Sequence, residues 1–192
     1  LSAAQVHLAH IYLDDKFIRR DIQKVIHYFT LASNQNNEYA QYCLGELYYQ
    51  SEFIPRDIVK AVHFLTLAAE NNYPEAQFIL GSIYYSGENV QKDIPKAKKY
   101  WLLAAKNNYP CAQYNIGIMY YYGIEFQKSD RKAYFYLKKA ADQNHEEAQR
   151  GINNLFNNKK DISMTNYEKG ISYYFGHFVE KDINKAIYYL KL

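Results

Sequence analysis

The sequence predicts an all-α solenoid built from antiparallel helix pairs with a 36-residue period. Three observations predict it. Ala4, Ala40, Ala76, Ala112 and Ala148 stand one period apart, and each is followed by Gln: Gln5, Gln41, Gln77, Gln113 and Gln149. Each period carries two stretches of helical apolar spacing. Small residues recur inside both stretches. One such hairpin cannot bury its apolar face alone, whereas stacked hairpins share a continuous core. Residues 1–147 therefore read as four units starting near 4, 40, 76 and 112, with positions counted so that each of these alanines holds position 4.

The first stretch of each unit places the position-4 Ala, an aliphatic residue at position 8 (Leu8, Leu44, Leu80, Ile116) and a Tyr at position 12 (Tyr12, Tyr48, Tyr84, Tyr120) at i, i+4 and i+8. That spacing makes one core-facing stripe on a helix. Position 9 is Ala9, Gly45, Gly81 and Gly117, small enough for a neighbouring helix to come close. The expected first helices run near 38–50, 74–86 and 110–122. Pro74 and Pro110 fall at their starts, where a missing N–H costs nothing.

The second stretch begins after Asp57, a good N-cap, with Asp21 and Asp93 in step and Ser129 in the fourth copy. Val25, Ala61, Ala97 and Ala133, then Ala32, Ala68, Ala104 and Ala140, give it a small-residue packing face. The expected second helices run near 58–70, 94–106 and 130–142. Asn71 and Asn72 suit a left-handed turn at the helix end, and Asn36, Asn108 and Asn144 stand in step with Asn72.

Residues 148–192 break this register. A degenerate fifth unit opens at Ala148, with Ile152 in place but Asn153 where Gly stood before, and a helix is expected over 148–157. Asn157 to Asp161 is polar and reads as a loop. Gly170, Tyr173 and Gly176 then fit a first helix, and Asp182, Lys185, Ala186 and Tyr189 a second, about half a unit late. The expectation is a displaced, C-terminally truncated hairpin that bends the array or offers an apolar face for pairing between chains.

The pattern Ala-x-x-x-Leu-Gly-x-x-Tyr, Asp-x-x-Lys-Ala, Ala-Ala resembles the Sel1-like repeat, a relative of the tetratricopeptide repeat. The third unit shows it most fully: Ala76, Leu80, Gly81, Tyr84, Gly87, Asp93, Lys96, Ala97, Ala104 and Ala105. The resemblance implies a right-handed superhelix with the first helices on its concave side, and an adaptor or scaffold role in protein assemblies. It carries no catalytic residues. The Gly expected to close the first helix is missing in two units, where Asp15 and Ser51 stand. Asn replaces Gly at the unit ends, and Asn tolerates the same left-handed geometry.

Composition narrows the function classes. The 192 residues are 48% hydrophobic with 22 tyrosines, suited to half-buried positions between helices. The net charge of +3 argues only weakly for nucleic acid. No apolar run approaches the ~18 residues that span a membrane, and no signal peptide is visible. The chain begins without Met and ends inside a helical pattern, so it is expected to be a piece of a longer protein. Two cysteines make no disulfide framework, and the default expectation is a cytoplasmic location.

Candidate chemistry is sparse. His7, His10 and Asp14 share a helical face at a spacing that can present metal ligands, but a third nitrogen or sulfur ligand is not evident, so a solvated face is expected. His27 and His63 hold one repeat position, and Lys99 and Phe135 hold it in the next two copies; this reads as an echo of the repeat. Cys43 and Cys111 lack a base and an orienting group and read as inert. Lys96, Lys98, Lys99 and Lys106, with Lys132, Lys138 and Lys139, read as solvated helix surface; a basic patch for an acidic peptide or nucleic acid is the sharper alternative. No Gly-rich phosphate loop or DNA-binding motif is present, so no nucleic-acid partner, cofactor, metal or enzymatic activity is expected.

The informative surface lies on the first helices. Positions 3, 7, 10 and 14 lie opposite the core stripe. They are Tyr39, Cys43, Glu46 and Gln50 in the second unit, Glu75, Ile79, Ser82 and Ser86 in the third, and Cys111, Asn115, Ile118 and Tyr122 in the fourth. Residue types vary here while core positions repeat, and exposed Ile79, Ile118 and Tyr122 favour binding. Aromatics at positions 6 and 13 (Tyr42, Phe78, Tyr114; Tyr49, Tyr85, Tyr121) border this face. They either rim a groove or pack between units, with packing favoured. The expected function is a scaffold holding a partner peptide or helix on the concave face. The alternative is a structural spacer or dimerisation arm of a larger protein, with a homodimer formed through the C-terminal hairpin.

Overall fold

A computed structural model describes residues 1–14, 18–87, 89–156 and 183–191. Ten helices and no strands occur among the described residues. They are α1 (Ser2–Leu13), α2 (Ile22–Ser33), α3 (Glu38–Gln50), α4 (Ile58–Glu70), α5 (Pro74–Ser86), α6 (Ile94–Lys106), α7 (Pro110–Tyr122), α8 (Asp130–Ala141), α9 (Glu146–Phe156) and α10 (Ile183–Leu190). Odd and even helices from α1 to α8 pair within units, and each pair packs on the next in chain order. The result is an all-α solenoid. The central helices begin and end where periodicity and capping place them. The displaced hairpin, apart from α10, lies outside the described residues, as do Asp15 and the surface expected to pair copies.

The repeat signature maps onto the packing. Asp21, Asp57 and Asp93 cap α2, α4 and α6 by accepting from the amides of Lys24, Lys60 and Lys96, and Ser129 caps α8 in the same way. The backbone N–H of each capping residue donates to the carbonyl of the position-12 Tyr, from Asp21 to Tyr12 at 3.0 Å through Ser129 to Tyr120 at 2.9 Å. Both ends of the connecting segment are thereby pinned. Asn36, Asn72, Asn108 and Asn144 all take left-handed backbone, with φ between 57° and 68°. Asn71 does not; its φ is −82°. Ser51 ends α3 in extended backbone, so no left-handed strain arises where the Gly is missing.

Position 9 sets the distance within each pair. A Cβ added to Gly81 would lie 2.4 Å from the Trp101 ring, and one added to Gly45 2.6 Å from Leu65 Cγ. The position-4 and position-8 residues Ala40, Leu44, Ala76, Leu80, Ala112 and Ile116 are wholly buried, forming cores shared by neighbouring units. The first unit departs from this pattern. Ala4 is exposed and Leu8 is 38% exposed. The counterparts of these two residues are covered by the preceding unit, and no described residue covers them here.

Candidate functional site

Two sets of contacts hold adjacent units in register and so shape the first-helix face. The first is a chain of amides. Gln77 Nε2 donates to the Ala69 carbonyl at 3.0 Å, reaching back to the previous unit, while its Oε1 accepts from Asn107 Nδ2 at 3.0 Å. Gln113 repeats this with Ala105 at 3.2 Å and Gln143 at 2.8 Å. Gln41 has Ser33 at 3.5 Å and Asn71 at 3.0 Å. Gln41, Gln77 and Gln113 are buried, and a buried amide without partners is costly, so the invariant position-5 Gln is explained by these bonds. The second set is aromatic. The position-6 ring of one unit packs on the residue that opens the next, stacked in two pairs and tilted in Phe78–Tyr109. Tyr42 meets Tyr73 at 4.8 Å between ring centroids, Phe78 meets Tyr109 at 5.2 Å, and Tyr114 meets His145 at 5.0 Å. Tyr73 and Tyr109 stand at helix N-caps without capping, unlike Asn37, whose side chain accepts from the Ala40 amide. In those two units Pro at N1 supplies a preset φ instead.

A third ladder lies within the units. Positions 12 and 28 stack nearly parallel: Tyr12 on Tyr28, Tyr48 on Phe64, Tyr84 on Tyr100 and Tyr120 on Tyr136, with centroids 5.8 to 6.0 Å apart. The position-24 lysine covers the outer Tyr, from Lys96 at 4.1 Å to Lys132 at 5.1 Å. The Asp-x-x-Lys-Ala signature thus joins a helix cap to a cation–π contact. Among the other lysines considered for a basic patch, Lys98 covers Phe126, Lys139 covers Phe135, and Lys138 pairs with Asp142. These contacts favour the reading as structural surface.

The first-helix face carries two hollows of about 300 Å³ each. The first lies between α1 and α3 and gathers Tyr39, Cys43, Glu46 and Gln50 with His10, Leu13 and Phe53. The Tyr39 hydroxyl and His10 Nε2 are 3.1 Å apart, and Glu46 Oε1 accepts from Tyr42 at 3.0 Å and Gln50 at 3.4 Å. Burial pushes the Tyr39 phenol up to about 12, with Cys43 and Glu46 adding to it. Burial also pushes the Cys43 thiol up to about 12, which keeps it protonated and a poor nucleophile. The second hollow brings together Ser82, Asn115 and Ile118 with Tyr85, Trp101 and Ile124. Ser82 Oγ donates back to the Phe78 carbonyl at 3.1 Å. Glu75, Ile79 and Tyr122 line neither hollow.

Two expectations about exposure are corrected. Ile79 and Ile118 are half-buried; Ile79 packs on the core around Leu65 and Leu80, and Ile118 on that around Leu137 and Phe156. Adjacent units touch along this side, so Ile79 joins the core that α5 shares with α4 of the preceding unit, and Ile118 the core that α8 shares with α9. Tyr122, at 61% exposure, is open as expected. The position-6 aromatics pack between units, and of the position-13 tyrosines Tyr85 lies on Trp101 and Tyr121 on Phe156.

His7, His10 and Asp14 border one shallow depression, but no group of three His, Cys, Asp or Glu fit to hold a metal converges among the described residues. Burial lowers the His10 pKa, with His7 adding to the effect. His27 and His63 lie exposed, edge-on to Tyr28 and Phe64. Cys43 and Cys111 are both free thiols. No helix among the described residues is long and apolar enough to cross a membrane.

Comparison with known proteins agrees with this architecture. The chain resembles a protective antigen of uropathogenic Escherichia coli, c5321, described as displaying an SLR fold, with a TM-score of 0.79 and 23% identity. The match covers 98% of this chain but 44% of the antigen, so the chain spans less than half of that relative. A Sel1 repeat protein from Oxalobacter formigenes matches with a TM-score of 0.72 and 24% identity over 100% of this chain and 71% of its own. Helicobacter pylori cysteine rich protein B matches at 0.55 and 25% identity over 71% of this chain and 98% of its own. Comparison with the curated proteins gives no match. The Sel1 repeat family model matches residues 2–37, 38–73, 74–109, 112–145 and 166–192. With that pattern across its length, the chain belongs to the Sel1 repeat family, whose members are generally non-enzymatic protein-interaction scaffolds.

Proposed function

We propose that this chain is a scaffold that takes an extended peptide or a partner helix along the face formed by its first helices. One observation carries the reading. The two hollows on that face are lined by positions 3, 7 and 10, whose residue types change from unit to unit, while the residues that hold the units together repeat. A rigid frame with a variable lining separates stability from recognition. Exposed aromatic anchors beside polar groups suit peptide recognition, where buried rings supply affinity and hydrogen bonds set register.

Selection of displayed random 12-residue peptides against the chain, followed by hydrogen exchange with the strongest binder, tests this. Protection is expected on α3, α5 and α7. Selection of no peptide at all would sink the scaffold reading. Protection confined to α4, α6 and α8 would move the site to the other face.

A further inference from the structure

Resting on that reading, we infer that the partner segment is basic, and that one of its Lys or Arg side chains seats on Tyr39, Tyr42 and Tyr73 beside the carboxylates of Glu46 and Glu75. The three rings are in mutual contact, with centroids 4.8 Å apart for Tyr42 and Tyr73, 6.3 Å for Tyr39 and Tyr73, and 6.4 Å for Tyr39 and Tyr42. Tyr39 and Tyr42 line the α1–α3 hollow, and Tyr39 is 37% exposed.

At positions 12 and 13 the chain covers its tyrosine rings with its own cations. Position-24 lysines lie over Tyr12, Tyr48, Tyr84 and Tyr120, and position-20 side chains, Arg56, Lys92 and Lys128, over Tyr49, Tyr85 and Tyr121. Among the described residues no Lys or Arg lies over the Tyr39–Tyr42–Tyr73 group. Arg20, close to the same hollow, is held over Phe53, with its Nε donating to the Leu13 carbonyl.

Charge is divided in the matching sense. The helices α1, α3, α5 and α7 contain no Lys or Arg, but they carry Glu38, Glu46 and Glu75, in a chain whose net charge is +3. Among the described residues the cations therefore sit on the second helices, on the connecting segments and on α9, where Arg150 pairs with Glu146 and Glu147. Glu46 is held in place by the Tyr42 hydroxyl, and Glu75 stands two residues past Tyr73. Their negative potential is felt at the rings. The Tyr73 phenol is pushed up to about 12 by burial first and by Glu75 next, with Glu46 contributing. Ring faces and carboxylates both attract a cation, and the carboxylates repel phosphates, so a basic peptide fits this surface and a nucleic acid does not.

The peptides selected against the chain supply the test. A consensus containing Lys or Arg is expected. The strongest such peptide, titrated by fluorescence anisotropy, is expected to bind Glu46→Gln/Glu75→Gln about tenfold more weakly than the wild type, with a further loss in 0.5 M salt. Gln at position 46 keeps an acceptor for Tyr42, and a thermal melt confirms that the variant is folded. Selected peptides that are neutral or acidic overturn this inference and leave the scaffold intact, as does unchanged affinity of a basic peptide for the double variant. Selection of no peptide overturns both.

Discussion

Replacing Gly81 with Ala tests the helix approach that defines each unit. The added Cβ would stand 2.4 Å from Trp101 Cδ1 and 2.5 Å from Nε1, where ordinary contact begins at 3.4 Å. The indole must therefore retreat by about 1 Å. Trp101 is 5% exposed, and its Nε1 donates to the Phe78 carbonyl at 3.2 Å, so the ring has little room and a bond to lose. Overpacking of this kind costs about 1–3 kcal/mol, and the strained hydrogen bond adds about 1 kcal/mol. Ala in place of Gly inside a helix returns about 1 kcal/mol. The net expectation is a loss of about 2 kcal/mol, or a melting temperature lower by roughly 4–8 °C for a chain of this size. Gly151→Ala is the control, because its added Cβ meets nothing closer than Leu137 Cδ2 at 3.9 Å. That variant is expected to gain up to about 1 kcal/mol from helix propensity alone. Melts followed by circular dichroism give both numbers, and the emission of Trp101, the single tryptophan, reports the displaced ring. A Gly81→Ala protein as stable as the wild type would refute the argument, as would equal losses in the two variants.

Two further outcomes follow from the contacts between and within units. Gln77→Ala removes two hydrogen bonds of a buried amide, to the Ala69 carbonyl and from Asn107 Nδ2, each of which keeps a second partner in Asn72, so urea denaturation is expected to show a loss of about 2 kcal/mol. Gln5→Ala, whose bond to Gln35 is exposed, is expected to cost less than about 1 kcal/mol, and similar losses at the two sites would count against the amide chain. Asp21 and Asp57 are held below the usual carboxylate range, chiefly by the backbone amides of Lys24 and Lys60. Their folded values lie below their unfolded ones, so this stability is present above about pH 4 and is lost as pH falls through the folded values. The melting temperature is expected to fall as the pH drops below about 4 in the wild type, and less steeply in Asp21→Asn/Asp57→Asn, where Asn still caps. Parallel curves would show that the caps do not carry the acid sensitivity.

Features with a local cause were legible in the sequence. The starts of α4 and α6 follow from Asp57 and Asp93, the unit ends from Asn72 and its counterparts, and the close pairing from Gly81. Spacing along a helix identifies the core stripe because the stripe depends on one helix's own geometry. The candidate face was only partly legible. Tyr39, Glu46 and Gln50 do meet at one hollow, and Ser82, Asn115 and Ile118 at another. The burial of Ile79 and Ile118 was not legible, because it depends on how far one unit leans over the next. The contact of Tyr73 with Tyr39 and Tyr42 was equally hidden. Tyr39 and Tyr42 are neighbours at i, i+3 on one helix, but Tyr73 opens the next unit, and nothing in the spacing places it against them.

The sequence by itself determined the period, the helix pairs, their caps and the small residues that let them approach, since each is decided within a single hairpin. Only the tertiary structure decided what the repeated Gln and Lys do and which variable residues share a hollow. Gln77 finds partners in the preceding unit and in its own second helix, 8 and 30 residues away. Lys96 reaches a ring 12 residues back. Such contacts form only when helices pack on one another, within a hairpin for Lys96 and between hairpins for Gln77 and Ala69, and that packing sets both the register of the frame and the surface it presents.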